Sequence, residues 1–308
     1  MDFLDELRTL REQVLFRDSF SIDQAKYNKI IISGMGGSGI VGNIFSELYS
    51  KKPVSVVSDY DIPEFADDKT LFIAISYSGN TEETLSTLDQ AEKAGCHIVG
   101  ITSGGKLSQR KHKIIKIPSG LQPRSSLGYM IMPLINSLMP ISEETRLSAS
   151  ALLGKIDSEN EEMRLLAEEI GRENLIPFVL GFSPFIWVAY RWKTQFNENS
   201  KILAFSNSFP ELNHNETMPY KGSYRKDLFR FIVIGNPLNE RIKKRIKITA
   251  EITDTKFTYV PDQGNSLFEK LFALIHKGDY LTYHLARYLG VDPTDVSLIE
   301  RLKRELGN

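Results

Sequence analysis

Two short stretches of small polar residues carry the chemistry that is easiest to read from this chain. Gly34-Met35-Gly36-Gly37-Ser38-Gly39 follows the apolar run Lys29–Ser33 and precedes a helical stretch. Glycines there let the backbone approach an anion, and a helix start offers N–H groups and the positive end of a dipole. Ser76-Tyr77-Ser78-Gly79-Asn80-Thr81-Glu82-Glu83-Thr84 repeats the setting after a second apolar run, Thr70–Ile75. Ser76, Ser78 and Thr81 set three hydroxyls beside a second helix start. With Gly37 and Ser38 of the first loop they form a cup for a small tetrahedral anion, and no cation is needed. Arg124 follows Pro123 in a later loop and can pair with a phosphate or with a developing oxyanion; a plain salt bridge is its other reading.

The first loop also matches the G-x-G-x-x-G of dinucleotide sites, with Asp59 placed to hold a ribose hydroxyl. The same glycine chemistry serves a monophosphate equally well, and a nicotinamide dehydrogenase has no use for a second hydroxyl cup. Asn80 and Glu83 have the spacing of a capping box, which explains those two residues and leaves the serines unexplained.

The elements that must position these loops alternate in type. Lys29–Ser33, Pro53–Ser58, Thr70–Ile75, Cys96–Thr102 and Lys113–Pro118 are strand-like, and helical stretches fall between them. Thr81–Ala94 ends at Gly95, a good residue for a helix C-terminus. Near-continuous apolar strands alternating with helices predict a parallel sheet covered on both faces. A charged helix pair, Ser142–Glu173, interrupts the pattern. A second block follows, with strands Phe178–Gly181, Phe229–Ile234 and Lys256–Val260 and a helix over Leu238–Ile252. A helical C-terminus starts at Asn265 and breaks at Asp292-Pro293. The expected division is a helical extension over 1–28, a first domain over 29–145 and a second over 146–308.

Composition narrows the function. In a chain of 308 residues, 38 Lys and Arg balance 39 Asp and Glu, so no basic excess exists to neutralise nucleic-acid phosphates. Cys96 is the only cysteine, which excludes an internal disulfide and fits a reducing cytoplasm. The five histidines show no HExxH or His-x-His pairing. No apolar run approaches the roughly 20 residues of a membrane span, and the acidic first residues lack a signal-peptide core. The expectations are therefore a cytoplasmic location, no membrane or nucleic-acid partner, no metal site and no cofactor.

The serine loop resembles the signature of sugar isomerase (SIS) domains, which bind phosphorylated sugars. Three further blocks join it and the glycine loop: Pro123-Arg124-Ser125-Ser126-Leu127-Gly128-Tyr129, Asn197-Glu198-Asn199-Ser200-Lys201 and Glu211-Leu212-Asn213-His214-Asn215-Glu216. Together they are similar to the bifunctional phosphoglucose/phosphomannose isomerases, and the resemblance runs from about Lys29 to the C-terminus. It implies an α/β fold of two SIS domains and a metal-independent aldose–ketose isomerase. The substrates implied are fructose, glucose and mannose 6-phosphates, interconverted through a cis-enediol. A non-catalytic sugar-phosphate-binding protein is the alternative.

Such a reaction needs a carboxylate base beside C1 and C2 and an acid–base to open the sugar ring. By composition alone Glu198 is an ordinary surface glutamate; the resemblance makes it the base, with Glu211 as the rival carboxylate. His214, between Asn213 and Asn215, is by resemblance the ring opener. It is expected to reach the partner's site in a homodimer whose sites are shared across the interface. Lys303 matches a C-terminal lysine directed at the ring oxygen, though it equally suits the solvated face of a helix. Thr294 is a candidate for accommodating both configurations at C2. The loop Gly235-Asn236-Pro237-Leu238-Asn239-Glu240 has lost the serines of its counterpart, so one sugar-phosphate site per subunit is expected.

Overall fold

The computed structural model describes residues 2–222 and 225–306. The chain divides into two compact units, one of residues 9–150 and one joining residues 2–8 to residues 151–306. Two short helices, α1 (Phe3–Arg8) and α2 (Leu10–Gln13), open the chain, and the boundary passes between them.

The N-terminal unit contains β1 (Lys29–Ser33), α3 (Gly36–Leu48), β2 (Val54–Val57), β3 (Thr70–Ile75), α4 (Glu82–Lys93), β4 (His97–Thr102), β5 (Lys113–Lys116) and α5 (Leu127–Leu138). The strands pair in parallel in the order β2-β1-β3-β4-β5. The central strands have no polar alternation because both of their faces are covered: Ile31, Ile32 and every residue from Leu71 to Ile75 are 0% exposed. On one face Ile31, Phe72 and Ala74 pack with Leu88 and Ala91 of α4 and with Leu107. On the other, α3 lies so close that a Cβ on Gly42 would stand 2.9 Å from Ile32 Cγ2. Gln13 of α2 is fully buried and donates to the Ser125 carbonyl at 2.7 Å, which fixes the turn Pro123–Ser126 that leads into α5.

The boundary between units falls within α6 (Glu143–Ser158). The C-terminal unit continues with α7 (Glu161–Arg172), β6 (Ile176–Phe182), α8 (Ile186–Glu198), β7 (Phe205–Phe209), α9 (Pro219–Gly222), β8 (Phe229–Ile234), α10 (Glu240–Thr253), β9 (Thr258–Val260), α11 (Leu267–Leu289) and α12 (Ser297–Glu305). Its parallel sheet runs β7-β6-β8-β9, which repeats the β2-β1-β3-β4 order of the first sheet. The longest helix, α11, starts at a capping box formed by Ser266 and Glu269 and stops at Gly290, whose φ is 68°. It packs along α7 and α8.

The sequence pattern misses β7. Phe205-Ser206-Asn207-Ser208-Phe209 is an edge strand whose three middle residues are polar and half-buried. An edge strand is bonded on one side only and needs no continuous apolar run. The other strands and the helix pair appear where the periodicity places them, within two residues at most ends.

Candidate active site

In a sheet of order 2-1-3-4-5, ligands bind beyond the strand C-termini where the winding reverses, between β1 and β3. Both polar loops lie there. The glycine loop leaves β1, and Gly34 is pressed against the end of β3: a Cβ on it would be 3.0 Å from the Ile75 carbonyl oxygen. Gly36 takes a φ of 52° as α3 begins. A Cβ on Gly37 would lie 3.4 Å from Arg124 Cα, so the turn carrying Arg124 borders the same loop. Arg124 is 4% exposed and donates to Gln122 Oε1 at 3.2 Å.

The serine loop leaves β3. Ser76 Oγ and Thr81 Oγ1 share a hydrogen bond at 2.8 Å, and Gly79 N–H donates to Ser76 Oγ at 3.1 Å. Ser78 is exposed, and its Oγ accepts from Asn80 N–H at 3.3 Å. At the starts of α3 and α4 the first N–H groups precede the intrahelical ladder, although Ser38 N–H donates to the Met35 carbonyl at 3.0 Å. The donor set of this end of the sheet is thus hydroxyls, helix-start amides and one buried arginine. The Ser38 hydroxyl points elsewhere, donating to Met130 Sδ of α5 at 3.4 Å. Asn80 and Glu83 do not form a capping box. The cap position of α4 is Thr81, with no side-chain cap bond, and Asn80 Oδ1 accepts from Lys106 N–H at 3.0 Å instead.

That last bond exposes residues the sequence reading passed over. The loop after β4 supports the cup from below: Ser103 N–H and Oγ both donate to the Tyr77 carbonyl, at 3.0 and 2.6 Å. Tyr77 OH accepts from Leu121 N–H at 3.0 Å. The signal available in sequence was Thr102-Ser103-Gly104-Gly105, a glycine pair directly after a strand. Ser125, beside Arg124, has a buried hydroxyl with no hydrogen-bond partner among the described residues.

In the C-terminal unit Glu198 is the last residue of α8 and is half-buried. Lys201, at a φ of 59°, turns back so that its ammonium caps the Glu198 carbonyl. The turn before α12 feels the charge of the same lysine. Asp292 is held below the usual carboxylate range by hydrogen bonds from the Thr294 hydroxyl and N–H, with a smaller contribution from Lys201. Asp295 is lowered likewise by bonds from Ser297, and then by Lys201.

His214 ends the short turn Glu211–His214 and is exposed, as is Glu211. Asn213 does not orient its ring: Asn213 Nδ2 donates to Thr249 Oγ1 of α10 at 2.7 Å. Lys303 is exposed on α12. Among the described residues no three His, Cys, Asp or Glu side chains cluster as metal ligands do. Nor is any helix among them long and apolar enough to cross a membrane. Burial pushes the Cys96 thiol up, away from a reactive thiolate.

Residues 23–138 match the SIS domain, and residues 159–306 match the bacterial phospho-glucose isomerase C-terminal SIS domain. A bifunctional phosphoglucose/phosphomannose isomerase of Thermoplasma volcanium is 56% identical, covering 99% of this chain and 100% of its own length. One from Aquifex aeolicus is 36% identical, covering 92% of each. The fold is shared with the C-terminal domain of glucosamine-fructose-6-phosphate aminotransferase from Francisella tularensis. That match has a TM-score of 0.70 at 17% identity and covers 94% of each chain. With two SIS folds in sequence and relatives alike over nearly its whole length, the chain belongs to the bifunctional phosphoglucose/phosphomannose isomerases, a family of SIS-domain isomerases.

Proposed function

We propose that this protein interconverts fructose 6-phosphate with glucose 6-phosphate and mannose 6-phosphate, without a metal ion. The observation that carries this reading is the hydroxyl cup at the switch point of the first sheet, where Ser76, Ser78 and Thr81 gather at the start of α4. Such a cup suits a phosphate monoester, whose oxygens accept several short bonds from neutral donors. Gly37 and Arg124 complete the phosphate-binding set, and Ser38 joins it only by turning its hydroxyl from Met130 Sδ.

The second unit supplies the acid–base groups. Glu198 removes the C2 proton of the open-chain aldose as O1 gains a proton, giving a cis-enediol. Return of the carbon proton to C1, with loss of the O2 proton, gives the ketose. His214 and Lys303 open the ring by moving a proton at the ring oxygen. Turnover of both aldoses requires tolerance of either configuration at C2, a role assigned to Thr294. The working form is a cytoplasmic homodimer in which His214 serves the neighbouring subunit's site.

The test is a coupled assay with fructose 6-phosphate in excess EDTA, following glucose and mannose 6-phosphates separately. Formation of both products is expected. Tight sugar-phosphate binding without turnover would make the protein a non-catalytic binder. Activity lost to EDTA and restored by Zn²⁺ or Mn²⁺ would place a metal in the mechanism.

A further inference from the structure

Glu198 stands at the last position of a helix, where backbone ordinarily frays. Here the positions around it are tied to α11 by side chains with no access to water. Asn199, Ser200 and Thr282 are 0% exposed and Gln195 is 2% exposed. Asn199 Nδ2 donates to Thr282 Oγ1 at 3.0 Å and to Gln195 Oε1 at 3.2 Å. Ser200 Oγ donates to the Thr282 carbonyl at 2.8 Å. Thr282 Oγ1 in turn bonds back to its own helix, at the Gly278 carbonyl (3.0 Å). Higher up the seam α8 and α11 nearly touch: a Cβ on Gly278 would stand 2.3 Å from Trp192 Nε1.

Apolar side chains would hold two helices together at lower desolvation cost than this polar group. Directional bonds do what apolar contact does not: they fix rotation and axial position. The residue they fix most closely is Glu198, bracketed by Gln195 on one side and by Asn199 and Ser200 on the other.

We propose that Thr282 is a positioning residue for the isomerase reaction, holding the Glu198 carboxylate at its working place through Asn199 and Ser200. The proposal rests on the reading of Glu198 as the base. Proton transfer from carbon is steep in geometry, and a displacement of about 1 Å can cost on the order of 100-fold. Phosphate binding is assigned to other residues and is left unaffected.

The test is Thr282→Val, which keeps shape and removes the acceptor for Asn199. With fructose 6-phosphate, kcat is expected to fall about 10- to 100-fold while KM stays within about twofold, the signature of a lost transition-state interaction. Thr282→Ser, which keeps the hydroxyl, is expected to restore kcat. A folded Thr282→Val protein with parental kcat, or a Thr282→Ser protein as impaired as Thr282→Val, overturns the proposal. If Thr282→Val does not fold, Ser200→Ala carries the same expectation and the same overturning result. Glu198→Gln, measured in parallel, separates the two readings. If it stays active, the base has been misassigned and the clamp has nothing to position. If it is dead while Thr282→Val is fully active, only the clamp is wrong.

Discussion

Gly79 and Gly104 meet backbone to backbone: a Cβ on Gly79 would lie 1.9 Å from the Gly104 carbonyl oxygen. Gly79 also has a φ of 70°, a region disfavoured for L side chains. The serine loop is thus moulded on the loop after β4 and has no room for a methyl group. Gly79→Ala is expected to dislodge Ser76, Ser78 and Thr81 together while the sheet beneath persists. The measurement is KM for fructose 6-phosphate alongside far-UV circular dichroism. A folded Gly79→Ala protein with parental KM would mean that the loop does not bind substrate.

Within the cup the hydroxyls differ. Ser76 is 1% exposed and bonded to Thr81 and Gly79, so its removal unpicks the loop itself. Ser78 is exposed and holds only Asn80 N–H at 3.3 Å. Ser78→Ala therefore reports ligand binding with little structural cost. It is expected to weaken sugar-phosphate binding by about 1–3 kcal/mol, the cost of leaving a charged acceptor one donor short. Calorimetric titration with fructose 6-phosphate reads this directly, and an unchanged affinity would remove Ser78 from the phosphate site.

The serine loop was legible because its chemistry is local: glycine, hydroxyls and a helix start are consecutive in the chain. What supports it was not, since Ser103 and Asn80 acquire their roles from pairing across β3 and β4. The same contrast separates β3, a run of six buried residues, from β7, whose Ser206-Asn207-Ser208 is strand only because β6 lies beside it. The Asn80–Glu83 spacing promised a capping box, and the tertiary bond from Lys106 N–H to Asn80 overrode it. In the C-terminal unit the residue types of Glu198, His214 and Lys303 are too ordinary to mark themselves. The structure adds what spacing cannot carry, the buried attachment of the Glu198 helix to α11.

That attachment includes an ion pair with almost no access to water. Arg191 donates to Asp279 through two nitrogens, at 2.7 and 3.2 Å, and the residues are 2% and 4% exposed. Breaking such a pair leaves an uncompensated charge in the core, whereas replacing both partners with apolar residues is often neutral. Asp279→Ala is expected to cost about 3–5 kcal/mol. Arg191→Met with Asp279→Leu is expected to recover most of that loss. Urea unfolding of the three proteins checks it; a double variant no better than Asp279→Ala would show that the pair supplies more than charge balance.

Acid sensitivity is expected from one group of the same unit. His284 is pushed below the ordinary histidine range, first by burial and then by Arg164, with Glu161 and Glu168 opposing. Its Nε2 lies 2.6 Å from Asn160 Oδ1, which suits a neutral ring donating to the amide. Above pH ~6.5 the ring is neutral in both folded and unfolded chains and has no effect. As pH falls through that value the unfolded chain takes up a proton that the folded one refuses, so stability drops. The loss levels off once pH is below the folded value. His284→Gln is expected to flatten the urea midpoint between about pH 7.5 and about pH 5.5. An equal slope in both proteins would assign the acid sensitivity to other groups.

The last expectation tests the roles proposed for Glu198 and His214 together with the proposed dimer. Ring opening and carbon proton transfer are separate steps, so their residues are separable by substrate. Glu198→Gln should abolish isomerisation of every substrate, because no other group is assigned the C2 proton. His214→Ala should lose about 10²–10⁴-fold on cyclic substrate, the usual span of general acid–base catalysis. It should lose less on an aldose that is already open-chain. His214 is exposed on its own unit, as a group serving a neighbouring subunit can be. If it does so, mixing the two inactive variants restores activity: in a mixed dimer one site holds both intact residues and the other holds neither. Half of the exchanged dimers would be mixed at equal concentrations, so about a quarter of parental activity is the expected ceiling. Mixed dimers that form and stay inactive would place Glu198 and His214 in the same chain's site, or remove one of them from the chemistry.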